Sequence, residues 1–235
     1  MDSQTRHALK QDKFVQATQG SVSWIGTHRN SVIRGSIAAV VLLAVLVTGL
    51  VVLNQRSQAA DTLLGEALDT YGTALAQPGA PASKGVYTTT AERAKAANLQ
   101  FVQVTSQYGW LPQGSKAHYF SGLTYQELGQ SASAETEFKA AAGSWDHNLS
   151  TLANFALAGF YHQTGRDAQA IELYNTLAAK PSDALPAFTA QLALADLYEA
   201  SGKHDQAKQI WAKIKDADKA GSAGAIAGQK LAPKK

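Results

Sequence analysis

A chain of 235 residues with a formal charge of +3 has room for one or two domains. Its Lys and Arg residues are scattered, with no arginine-rich arm and no aromatics interleaved with a basic cluster, which argues against nucleic-acid binding. It has no cysteine, which excludes a disulfide framework, thiolate metal sites, a cysteine nucleophile and a lipidated N-terminal cysteine. Apolar residues make up 45% of the chain and alanine is abundant, while alternating β-branched runs are few, so the composition predicts close-packed helices rather than a sheet.

Residues 1–31 are polar apart from a patch at Val22, Trp24 and Ile25 and read as a short tail. The segment 32–54 then predicts a membrane helix. Gly35 to Leu53 carries no charge, and its only side-chain hydroxyls are Ser36 and Thr48. As a helix it would span about 28 Å, close to the hydrocarbon thickness of a bilayer. A buried helix of that length would be expected to show a polar face, and this one has none. Arg6, Lys10, Lys13, Arg29 and Arg34 precede it against Asp2 and Asp12, whereas Arg56 is followed by Asp61, Glu66 and Asp69 with no further basic residue until Lys84. The positive-inside rule predicts a cytoplasmic N-terminus and an extracytoplasmic C-terminal part. Ser57-Gln58-Ala59 would pass as a cleavage pattern, but the leader would be unusually long, so an uncleaved anchor is expected.

The remainder, 57–231, predicts one helical domain. Ser57–Gln77 reads as a helix continuing from the anchor, and Gln77 to Gly85 as a loop. Thr88–Tyr108 reads as a second helix with Ala94, Ala97, Phe101 and Val104 on one face. Three segments, 115–149, 151–185 and 186–217, then share one spacing. The first runs Gly122, Tyr125, Gly129, Ala134, Phe138; the second Ala158, Tyr161, Gly165, Ala170, Tyr174; the third Ala195, Tyr198, Gly202, Ala207, Trp211. Their central glycines are 36 and 37 residues apart. A small residue admits a close helix neighbour, and a tyrosine three positions on packs from the same face. The glycine past the helix end can turn left-handed and stop it. The next helix presents alanine and an aromatic at a spacing of four, on one face. Each unit is thus expected to be a pair of helices that must stack on its neighbours to bury its apolar face. The stretch after Asp218, to Leu231, is expected to form a short capping helix.

These residues resemble the tetratricopeptide repeat, whose pattern includes Gly-x-x-Tyr followed by Ala-x-x-x-Phe. The resemblance covers about residues 115–217 and implies an all-α superhelix of about four helical hairpins behind the membrane helix. The second and third segments carry Ala where the pattern prefers Gly, and Pro181 and Pro186 stand displaced from its terminal proline. The layout of tail, single membrane helix and hairpins resembles the ancillary Sec translocon subunit family of bacterial inner membranes, as does the stretch TRHALKQDKF. That resemblance implies a periplasmic domain associating with Sec translocon subunits and periplasmic chaperones. An adaptor for cell-envelope assembly or division is the alternative on the same fold.

No chemistry is expected. No histidine pair has zinc-site spacing on a helix, no phosphate-cradling glycine loop occurs, and no nucleophile elbow is present. Glu135 and Glu137 stand two apart on a helix and are expected to be solvated. Neither a cofactor nor a small-molecule substrate is expected. A protein-binding groove is expected on the first helix of each pair, on residues pointing away from the small-residue and tyrosine seam. These are Lys116, Tyr119 and Gln126, then Phe155, His162 and Gln163, then Asp196 and Glu199. For Phe155 an ordinary core position competes on equal terms. Such a mix of aromatic, amide and both charges suits a peptide segment better than a strongly charged tail.

Overall fold

The computed structural model describes residues 28–77 and 85–232. Among these residues there are nine helices and no strand, as the composition predicts. The apolar patch at Val22, Trp24 and Ile25 and most of the loop expected at 77–85 lie outside the described residues. The chain divides between Gln55 and Arg56 into two compact units.

Helix α1, Arg29–Gly72, is 44 residues long. Its first part is apolar and unshielded: every residue from Ile33 to Arg56 is exposed. The stretch is long and apolar enough to cross a membrane, and none of its most apolar window is buried within the protein. Its last part belongs to the second unit and buries one face, through Ala60, Leu64 and Ala67. The helix stops at Gly72 rather than at the expected Gln77. Gly72 has poor helical propensity, and the hydroxyls of Thr70 and Thr73 bond back to the carbonyls of Glu66 and Asp69 at 2.9 Å each.

Within the second unit, two helices begin on side-chain caps. Helix α2, Thr90–Tyr108, opens on a capping box: the Glu92 amide donates to Thr89 Oγ1 at 3.1 Å, and the Thr89 amide donates back to the Glu92 carboxylate. Its face of Ala94, Ala97, Phe101 and Val104 is fully buried. Asn98 on the same face is also buried and donates to Thr124 Oγ1 at 2.8 Å and Ser121 Oγ at 3.3 Å. Both partners lie on α3, Pro112–Glu127, which opens on a proline where no amide partner is needed. After α4, Ser131–Ala142, comes α5, His147–Gln163, capped by Asp146, whose carboxylate accepts from the amides of Asn148 and Leu149. Then follow α6 (Asp167–Ala179), α7 (Ala187–Ala200), α8 (His204–Ala217) and the short closing helix α9 (Ser222–Leu231).

From α2 onward each helix packs on the next in the chain, with smaller contacts between α3 and α5 and between α7 and α9. Three of the connections are tight glycine turns. Gly129, Gly165 and Gly202 take φ of 70°, 75° and 74°, and they are the repeat glycines. In each turn the glycine amide donates three residues back, to the carbonyl of Gln126, His162 or Glu199. The next amide reaches five back, to the carbonyl of the repeat tyrosine, at 2.9 Å for Tyr125, 2.7 Å for Tyr161 and 2.8 Å for Tyr198. That pair of bonds is the Schellman ending, which needs a residue without Cβ strain at the left-handed position.

Close approach between helices depends on small residues. A methyl group on Gly122 would lie 2.6 Å from the Phe138 ring, so α3 and α4 meet at a distance only glycine permits. The corresponding Ala158 and Ala195 are completely buried, as are Ala134, Ala170 and Ala207 on the second helices. The aromatics of those second helices, Phe138, Tyr174 and Trp211, are buried too. The buried residues form three apolar clusters along the chain. Rings continue the packing between pairs: Tyr71 meets Phe101 edge-on, Phe101 stacks on Phe120 at 5.5 Å, and Phe138 lies 6.2 Å from Phe160.

Replacing Gly122 by Ala should therefore destabilise the second unit, despite alanine's better helical propensity, by about 1–2 kcal/mol. The check is the unfolding midpoint of the detergent-solubilised full chain, followed by circular dichroism. An unchanged or raised midpoint would refute the close-packing argument.

Candidate functional site

The eight residues expected to line a groove fall into distinct settings. Gln126 and Gln163 meet: Gln126 Nε2 donates to Gln163 Oε1 at 2.6 Å, linking the ends of α3 and α5 beside two successive glycine turns. His162 bridges its own turn, its Nδ1 lying 2.8 Å from Asp167 Oδ1. Glu199 and His204 form the equivalent bridge one repeat later, at 2.7 Å, with acid and imidazole exchanged. Asp196 pairs with Lys230 of α9 at 2.7 Å. Tyr119 and Phe155 are half-buried against the central apolar cluster. Tyr119 packs against Phe120 and Phe138, and Phe155 packs edge-on against Tyr174 at 5.5 Å, so both rings touch the second helix of their own pair. Lys116 is exposed and stands near the start of α3, away from Gln126.

The turns at one end of the pairs carry most of the polar contacts. Glu135 on α4 is not simply solvated, contrary to expectation. It accepts from Arg166 at 2.7 Å and from the Tyr161 hydroxyl at 3.2 Å, and it pairs with Lys139 at 2.7 Å. Arg166 in turn lies over the Tyr161 ring, 4.3 Å from its centroid. Glu137 is paired as well, 2.6 Å from His118 Nδ1. The pairings with Arg166, Tyr161 and His118 were not legible from the two-residue spacing, because those partners lie outside α4. Lys203 repeats the cation-over-tyrosine contact on Tyr198, 5.6 Å from the centroid. Asp167 joins two repeats, accepting from the Ser201 hydroxyl at 2.8 Å, and Tyr71 donates to Glu127.

These contacts shift acidities in the direction of a fixed network. The Lys139 ammonium, then the Arg166 guanidinium, hold the Glu135 carboxyl down to about 2. The bond from His162, then that from Ser201, holds the Asp167 carboxyl below its ordinary range. Among the described residues no group of three or more His, Cys, Asp or Glu is placed to hold a metal ion. These contacts join helices across the turns and form a polar edge there.

At the other ends of α3 and α5 lies a feature that sequence reasoning did not single out. Trp110, in the loop before α3, is 64% exposed, and Trp145, in the loop before α5, is fully exposed. With Pro112, Lys116 and Leu149 they line one shallow opening of about 310 Å³. A second shallow opening, of about 590 Å³, lies beside Tyr87, Lys95 and the exposed Leu99. The signal for Trp110 and Trp145 was present: each indole stands next to a glycine or serine, outside any helical period.

No protein-family model, curated protein or solved structure matches this chain.

The Glu135 network yields a pH test. Because the folded carboxyl titrates below its ordinary value, its contribution is complete above about 4.5 and is lost as pH falls through about 2. Glu135→Gln should cost about 1 kcal/mol at neutral pH. The gap between variant and parent in denaturant midpoint should close as the pH is lowered through that window. A gap that persists at the acid limit would contradict the assignment.

Proposed function

We propose that this chain is a membrane-anchored scaffold whose second unit is a tetratricopeptide-like superhelix. Residues 35–53 cross the bacterial inner membrane, the N-terminus is cytoplasmic, and the helical unit binds proteins in the periplasm. Its role is to assist Sec-dependent secretion or the periplasmic chaperones that receive secreted chains.

The observation that carries this reading is the joining of two features in one chain. One is an apolar helical stretch from Gly35 to Leu53 with no shelter from its own protein. An unshielded run of that composition is stable when lipid takes the place of a protein neighbour. The other is a unit of successive helix pairs ended by identical glycine turns at residues 129, 165 and 202. Repetition of one supersecondary unit is how nature builds extended binding surfaces from short elements. Arginines and lysines before the anchor, and acids after it, support the stated orientation. The polar edge of amides, imidazoles and both charge signs on α3, α5 and α7 supports a peptide ligand over a nucleic acid.

Two measurements test this. The chain should stay with membranes through alkaline washing and leave only with detergent. Crosslinking in intact cells, followed by identification of the partners, should recover translocon or periplasmic chaperone subunits. Release without detergent would overturn the anchor, and recovery of neither partner class would overturn the secretion role.

A further inference from the structure

The loops carrying Trp110 and Trp145 are placed and equipped differently from the rest of the second unit. Trp145 is 103% exposed, so its indole touches nothing on its own protein, and Trp110 is 64% exposed beside it. Leaving two such rings in water forgoes the burial of roughly 150–250 Å² each. The opening they flank is too shallow to shelter them. Indoles that project with no pocket around them suit a soft, half-polar phase, where the ring is shielded and the N–H stays wet.

The first residues of the unit follow closely on the apolar stretch in the chain. Gln113, three residues past Trp110, donates to Ser57 Oγ at 3.0 Å and to Asp61 Oδ1 at 2.9 Å. The tryptophan loops therefore share one end of the unit with its first residues. Ser57 follows Leu53, the last residue of the apolar stretch, by four positions in the chain. The local charges are compatible with a lipid surface. Lys116 lines the opening as an exposed ammonium, and the Asp146 carboxylate, also at the opening, is bonded to the amides of Asn148 and Leu149. Asp61 is engaged by Gln113.

We propose that Trp110 and Trp145 dock this end of the helical unit onto the interfacial layer of the bilayer, with Lys116 at the depth of the lipid phosphates. The proposal rests on the membrane-anchor reading. A covalent tether at the same end keeps the lipid surface at high effective concentration, so two weakly partitioning indoles suffice. Docking also leaves the opposite ends of α3 and α5, with the Gln126–Gln163 contact, facing away from lipid.

The test uses the full chain in vesicles made with brominated or unbrominated phospholipids, and reads tryptophan emission. Trp24→Phe leaves Trp110, Trp145 and the buried Trp211 as emitters. Brominated lipid should remove most of the emission lost on adding Trp110→Ser and Trp145→Ser, and the residual Trp211 signal should not change. Both tryptophans are exposed, so the double variant should fold. Equal emission in the two lipids overturns the docking. Leu46→Trp, placed in the double variant, reports the anchor separately. If that tryptophan is quenched while Trp110 and Trp145 are not, docking fails and the anchor stands. If it is not quenched, the anchor fails and the docking with it.

Discussion

Helices in the second unit can meet because a small residue on one faces a ring on the next. Gly122 against Phe138 is the tightest instance, and the buried Ala158 and Ala195 keep the same approach open in the following pairs. Ring contacts such as Phe101 on Phe120 and Phe138 near Phe160 then carry the packing from pair to pair. A larger residue at any of these crossings would hold the backbones apart and expose the rings on both sides. The stacked architecture follows from that constraint, since no single pair encloses its own aromatic face.

The ends of the pairs solve a different problem. Stopping a helix abruptly leaves carbonyls without partners, and the left-handed glycines let successive amides return to them. The tyrosine that packs through its ring also accepts, through its carbonyl, the bond that closes the turn. One residue thereby fixes both the face and the end of its helix. Side chains flanking the glycines then tie neighbouring repeats, through Arg166 to Glu135 and Ser201 to Asp167. The polar edge on which a ligand is proposed to lie is thus held by the same bonds that set the repeat spacing.

Which features were legible in the sequence follows from their range. The glycine turns, the small-residue positions and the face of α2 depend on neighbours within a few residues, and the spacing of 36 and 37 between glycines made them visible. The helix end at Gly72 departed from expectation because apolar periodicity runs on past a residue that helices tolerate poorly. Glu135 and Glu137 read as solvated because Arg166, from the turn after α5, and His118, from α3, are distant in the chain. The groove residues were chosen by helical angle alone. That criterion found the Gln126–Gln163 contact, yet it also selected Phe155, whose ring packs on Tyr174. Trp110 and Trp145 obey no period, and only their isolation in loops marks them.

The near-linear order of contacts has a mechanical consequence. Because helices in the second unit touch chiefly their neighbours in the chain, tension applied between Arg56 and Leu231 would not meet one shared interface. It would peel the stack from an end, and each detached element would leave the rest seated. Such a unit yields in small steps and recoils in the same order, behaving as a compliant spring rather than a brittle clasp.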